Sequence, residues 1–189
     1  MPLRPRAPAR GTLRLVAAGL IAAAIVHIIA TLAAPYVNTT TAWARLKTRV
    51  PANQMVLLPP ITPGSQQLPF QLPDFRYAVC RYDTSQGPLQ VRVHLANPGW
   101  VLTVTSAQGD SIYSVQAQER ARKDVNLLLV PPGERFVGLV GETAGLAALN
   151  LALPAPHGLV VVHAPNSGAA FRAANEADLR RSLCLPQPL

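Results

Sequence analysis

Residues 15–34 read LVAAGLIAAAIVHIIATLAA, twenty positions with no charge and only two clearly polar side chains, His27 and Thr31. At the helical rise such a run is about 30 Å long, the thickness of a bilayer's hydrocarbon core. It predicts a membrane-crossing helix that ends at Pro35, because proline cannot continue the hydrogen-bond ladder. Farther on, Trp43, Leu46 and Val50 recur at helical spacing with Arg45, Lys47 and Arg49 between them. That spacing predicts a short amphipathic segment on the membrane surface, with Trp43 at headgroup level; a solvated linker is the alternative. Residues 50–73 hold six prolines around apolar pieces such as Met55-Val56-Leu57-Leu58. They read as an extended connector wrapped on the domain that follows.

From Tyr77 onward the period becomes two. Residues 77–82 form one candidate strand. In the next, Leu89, Val91, Val93 and Leu95 alternate with Gln90, Arg92 and His94, the pattern of a half-buried strand. Turns at Gln86-Gly87-Pro88, Asn97-Pro98-Gly99 and Gln108-Gly109-Asp110 separate these from strands over 100–106 and 111–116. Four strands with short turns predict an antiparallel meander. Further strands are expected over 125–130, 136–140, 147–153 and 158–164. The last holds Leu159-Val160-Val161-Val162, apolar on both faces and so central in its sheet. Ser167 can cap a helix reaching about Leu183, with Glu176 and Arg180 four apart. Its apolar stripe of Phe171, Ala174, Leu179 and Leu183 is thin, which predicts a surface position.

The fold expected is therefore mainly β: an antiparallel β-sandwich or open barrel with a C-terminal helix, preceded by one N-terminal transmembrane helix. The domain boundaries follow: a disordered cytoplasmic tail over 1–14, the transmembrane helix over 15–34, a juxtamembrane segment and Pro-rich connector over 35–73, and a periplasmic β domain over 74–189. With tail and anchor set aside, about 140 residues remain, enough for one real core. No internal repeat is present.

Charge sharpens this picture. The formal net charge is +8, yet the chain beyond Val50 carries ten basic and nine acidic side chains. The excess lies at the flanks of the apolar run: Arg4, Arg6, Arg10 and Arg14 before it, Arg45, Lys47 and Arg49 after it. A nucleic-acid-binding domain would carry its charge in the folded part, so no nucleic-acid partner is expected. Four arginines and the amino terminus against three cations favour a cytoplasmic N-terminus and a C-terminal domain outside. The alternative is a cleavable signal peptide, with Thr31-Leu32-Ala33 as a passable cleavage site. The Ala-, Arg- and Pro-rich composition suggests a bacterial source, which sets aside the Asn38-Thr39-Thr40 glycosylation sequon.

Chemistry is sparse. Cys80 falls in a strand and Cys184 follows the last helix, and two lone cysteines outside the cytoplasm usually pair. Such a bridge would fasten the chain's end to the start of the sheet; two buried free thiols are the alternative. His94, His157 and His163 are scattered, without a Cys-x-x-Cys or His-x-x-x-His spacing, so no metal site is expected. No Gly-x-Ser-x-Gly elbow or phosphate-cradling loop occurs, Ser167 reads as a turn and cap, and Gly138 and Gly141 lack the flanking motif. No catalytic residue and no cofactor are implied. A polar patch of Arg81, Asp83, Arg92 and His94 is the candidate small-molecule site, with Arg81 and Asp83 on the strand face opposite Cys80 and Tyr82. His27, inside the span, lacks any charged companion for a proton relay and reads as a neutral side chain packing in the membrane.

Leu68-Pro69-Phe70, Ala78-Val79-Cys80-Arg81-Tyr82-Asp83, Gly87-Pro88-Leu89, Ile112-Tyr113-Ser114, Gly158-Leu159-Val160-Val161-Val162 and Leu183-Cys184 resemble bacterial membrane proteins carrying domain of unknown function 1254. The order of anchor, His27 and Pro35 is similar to the same family. The resemblance covers nearly the whole chain, the Cys80 segment being its most specific part, and departs over 120–143. It implies a single-pass inner-membrane protein with an all-β domain outside, and it supplies no catalytic residues.

The function expected is a non-enzymatic binding or scaffolding module of the cell envelope, held in the bacterial inner membrane. Its partners would be the lipid bilayer and an envelope protein. The second expectation is a small-molecule-handling enzyme whose groups assemble on a sheet face, and the third a helix-packing subunit acting through His27 and the small residues around Gly19.

Overall fold

A computed structural model describes residues 10–37, 41–62, 64, 68, 71–118, 123–133, 148–166 and 168–187. The expected strand over 136–140, the capping Ser167, the glycosylation sequon and Gly138 and Gly141 lie outside these residues. The chain divides into two compact units, Met1–Thr39 and Thr40–Leu189.

The described residues of the first unit form one helix, α1 (Arg10–Val37), 28 residues long. It starts earlier than expected, so Arg14 belongs to the helix and not to a disordered tail. It also runs two residues past Pro35, since a proline removes one bond near a helix end and the last turn can still close around it. The 24 residues Gly11–Ala34 have a mean hydropathy of 2.5 and bury nothing within the chain.

The second unit is mainly β. Its elements are α2 (Ala42–Leu46), β1 (Met55–Leu57), β2 (Phe75–Asp83), β3 (Leu89–Leu95), β4 (Val101–Ser106), β5 (Ser111–Gln116), β6 (Lys123–Val130), β7 (Leu149–Ala152), β8 (His157–Pro165), α3 (Ala169–Arg180) and β9 (Leu183–Pro186). A five-stranded sheet runs β1-β2-β8-β4-β5 and a four-stranded sheet runs β7-β6-β3-β9. The pairings between these strands are antiparallel except that of β6 with β7.

Period-two alternation becomes a core at once. Ala78, Cys80 and Tyr82 from β2, Val160 and Val162 from β8 and Leu102 and Val104 from β4 face Leu89, Val91, Val93 and Leu95 from β3 and Leu127 and Leu129 from β6. Each aliphatic side chain so removed from water contributes roughly 1.5–3 kcal/mol. The opposite face of β2 and β8, with Tyr77, Val79 and Leu159, is covered by Leu46, Val50, Leu58 and Leu68 in a second apolar cluster. Burial on both faces is why β8 reads as a continuous apolar run, and β8 is indeed central. The connector thus wraps on the domain, and Met55–Leu57 adds a strand to the edge of β2.

Three expectations change. The meander is absent: β2 pairs with β1 and β8, β3 with β6 and β9, and only β4 and β5 form a hairpin among those four strands. Alternation fixes which face of a strand is buried but not which strand lies beside it. The amphipathic segment is part of the domain: Leu46 is 0% and Val50 3% exposed, both against the sheet and not toward lipid. Finally, the last helix ends at Arg180 and residues near Cys184 form β9. Gly168 stands at the α3 cap position with φ +118° and no side-chain cap bond. Phe171 and Ala174 are exposed, whereas Asn175 and Leu179 face inward.

Candidate functional site

Cys80 sits on the core face of β2 and Cys184 on that of β9, one in each sheet. Their Cα atoms are 6.4 Å apart and their sulfurs lie at bonding distance. Both residues are almost wholly buried. The bridge would therefore pin the two layers together from inside.

The four residues of the proposed polar patch do not converge. Arg81 and Asp83 project from the outer face of the five-stranded sheet, as the alternation with Cys80 and Tyr82 requires. Arg92 and His94 alternate with the core residues of β3, in the other sheet. The patch was drawn from nearness in sequence, but the turn at Gly87 carries the chain from one layer to the other. An enzyme site built from these four is thereby set aside.

Each half is bonded locally. The Arg81 Nε donates to the Val50 carbonyl at 3.1 Å, tying strand to connector. Asn53, in the left-handed region at φ 57°, lays its amide along the end of β2: Nδ2 donates to the Asp83 carbonyl at 2.9 Å and Oδ1 accepts from the Asp83 amide at 2.7 Å. Asparagine is among the side chains that tolerate this backbone. The Asp83 carboxylate accepts from the Ser85 hydroxyl at 2.5 Å and the Ser85 amide at 3.0 Å. That hydroxyl first, then the Ser85 amide and after it the nearby His157 and Arg81, outweigh partial burial and hold the Asp83 carboxyl below the usual carboxylate range. His157 Nε2 lies 3.5 Å from Asp83 Oδ2, and its ring meets Trp43 edge-on at 5.7 Å. Lys47 Nζ stands 5.3 Å over the same indole. Ser85, Asp83 and His157 do not form a nucleophile relay, because the carboxylate separates hydroxyl from imidazole.

On the other sheet, His94 Nδ1 and Asp124 Oδ1 are 2.5 Å apart across the β3–β6 pair, at an exposed position. Gln90 Nε2 donates to Asn126 Oδ1 at 3.2 Å. Beside them Leu183 is 42% and Leu185 51% exposed, opposite Arg92 and Gln90 in the β3–β9 register. The Arg92 Nε is buried without a hydrogen-bond partner.

Within α1, the Thr31 hydroxyl donates to the carbonyls of His27 and Ile28, both at 2.9 Å, so the second polar residue of the run is satisfied by its own helix. The His27 side chain is exposed on this unit.

Sequence reasoning missed two arrangements. Arg76 lies on the core-facing parity of β2, at the end where α3 packs, and its Nη2 is 2.9 Å from Glu176 Oε1. Asn175, 2% exposed, donates to the Pro165 carbonyl at 3.0 Å. The parity of Arg76 with Ala78 and Cys80 was the available signal. Among the described residues, no three His, Cys, Asp or Glu side chains gather as a metal would need.

No family model and no curated protein matches the chain. Among solved structures, the VPA0106 protein of Vibrio parahaemolyticus is similar in fold, with TM-score 0.56 and 12% identity over 78% of this chain and 37% of that one. An uncharacterized protein from Burkholderia cenocepacia matches at TM-score 0.40 and 15% identity, over 65% of this chain and 33% of its own. The chain thus spans about a third of each neighbour, and both neighbours are uncharacterised. The first likeness concerns the fold alone.

Proposed function

We propose that the chain is a membrane-anchored, non-enzymatic binding or scaffolding module of the bacterial envelope, with α1 crossing the inner membrane, its N-terminus cytoplasmic and the β-sandwich in the periplasm. The observation that carries this reading is α1 itself: its 24-residue stretch Gly11–Ala34, of mean hydropathy 2.5, finds no cover within the described chain. Such a surface needs an apolar surrounding, which a bilayer supplies. Support for the oxidising side comes from the buried cysteine pair at bonding distance. Support for binding comes from the outer face of the four-stranded sheet, where Leu183, Leu185 and Arg92 stand beside Gln90. Exposed leucines next to a partly buried arginine resemble the composition of partner surfaces. We also assign the chain to the proteins carrying domain of unknown function 1254, on the Cys80 segment quoted above.

Crosslinking and pull-down of the full chain from its own membrane, after alkaline carbonate washing, test this. Retention in the washed membrane together with a defined protein partner is expected. Release of a shortened chain would identify α1 as a cleaved signal sequence. A copurifying small molecule without a partner would overturn the scaffolding reading.

A further inference from the structure

The first 73 residues contain no Asp or Glu, the first acid being Asp74. Within that acid-free stretch, Arg45, Lys47 and Arg49 fall in five residues. The fold changes what they mean. Because Leu46 and Val50 are buried against the outer face of β2 and β8, these three side chains are held outward by a rigid domain instead of by a loose linker. All three are exposed, and among the described residues none forms an ion pair; Lys47 rests only on the face of Trp43. Only residues 38–40 separate α1 from Thr41, whose hydroxyl accepts from the Ala44 amide and caps α2.

We infer that Arg45, Lys47 and Arg49 form a docking face for anionic lipid headgroups. The inference rests on the proposal that α1 spans the membrane. Three linking residues reach no more than about 14 Å across the intervening bonds, so a spanning α1 delivers α2 to the lipid–water boundary. Cations there gain from an anionic leaflet, and each biases the docked population by about fivefold. Lipid phosphate, rather than an acidic protein, is the occupant that a covalently attached span brings to these side chains in every copy.

The test uses the full chain in vesicles, with one nitroxide at Thr48→Cys, an exposed position on the same segment. Accessibility to a water-soluble nickel chelate is measured in purely zwitterionic vesicles and in vesicles with about a third anionic lipid. Shielding several-fold greater in the anionic vesicles is expected, reversed by high salt and absent from the variant R45Q/K47Q/R49Q. Equal accessibility in both vesicles, or unchanged shielding in the triple variant, overturns the docking face while leaving the anchor standing. Chain that washes out of both vesicle types with carbonate overturns the anchor and this inference together. If the triple variant loses its β circular-dichroism signal, the single variants R45Q and R49Q decide by the same accessibility comparison. Shielding restored by an acidic peptide in zwitterionic vesicles would identify a protein surface as the occupant and overturn the lipid assignment.

Discussion

Tyr82 and Gly158 stand opposite each other in the β2–β8 register, and the tyrosine is wholly buried. A Cβ at position 158 would collide with the Tyr82 ring and hydroxyl and with the Thr105 carbonyl, so glycine is required by close approach. The phenol hydroxyl has no hydrogen-bond partner, and burial pushes its pKa up to about 12. An unsatisfied buried hydroxyl costs free energy that a phenyl ring does not. Tyr82→Phe should therefore raise stability by about 1 kcal/mol in urea titration, whereas Gly158→Ala should lose about 3 kcal/mol. His163 offers a pH signature. It packs against Tyr77 at 5.5 Å, and burial lowers its pKa below the ordinary histidine value. The unfolded chain then binds more protons below about pH 6.5, so stability falls as pH drops through that value toward the lower folded one. His163→Phe should flatten this part of the profile between about pH 7.5 and 5.5 while keeping the ring contact, as thermal unfolding in detergent would record.

At the scale of elements, α3 shows how charge and packing combine. Leu179 enters the core between the sheets, and Glu176 meets Arg76, whose side chain is 7% exposed. Glu176→Ala would leave a buried guanidinium without its partner, and a loss of about 3 kcal/mol is expected. Arg180→Ala, whose partner is the same carboxylate but whose side chain is 65% exposed, should cost under about 1 kcal/mol in the same chemical denaturation experiment. The strands themselves were legible. Leu89–Leu95 is found at the residues its alternation marks, Ser111–Gln116 follows the Gln108-Gly109-Asp110 turn as expected, and β8 is central as its unbroken apolar run required. What could not be read was partnership. A turn such as Gln86-Gly87-Pro88 looks alike whether it joins two strands of one sheet or passes between layers, and the deciding contacts come from residues far along the chain, as in Cys80 beside Val160 and Leu89 beside Leu129. The strand β9 escapes a sequence reading because four residues carry too short a pattern, and the apolar side of α2 reads as lipid-facing, though it packs on the sheet, because an apolar stripe does not say what covers it.

For the whole molecule, the cysteine pair joins positions 104 residues apart and connects the two sheets. With so long a loop closed, Cys184→Ser should lower stability by about 4 kcal/mol in the chain-entropy account, read as a lower urea midpoint under non-reducing conditions. The same variant should expose one titratable thiol after denaturation, against none in the parent. The pairing could be proposed from the sequence because two cysteines leave only one intramolecular choice. A site could not, because Arg81 and Asp83 are near Arg92 and His94 along the chain yet occupy different layers.

One consequence concerns the order in which the strands are made. β9, which lies beside β3 and carries the second sulfur, is the last of the described strands to be synthesised. Until it arrives, β3 presents an unpaired row of amides and carbonyls, and Cys80 waits as a lone thiol. A nascent chain at that stage is open both to strand-stealing neighbours and to mispaired oxidation. Pausing translation before codon 183 should therefore yield aggregates and mixed disulfides that completed chains avoid.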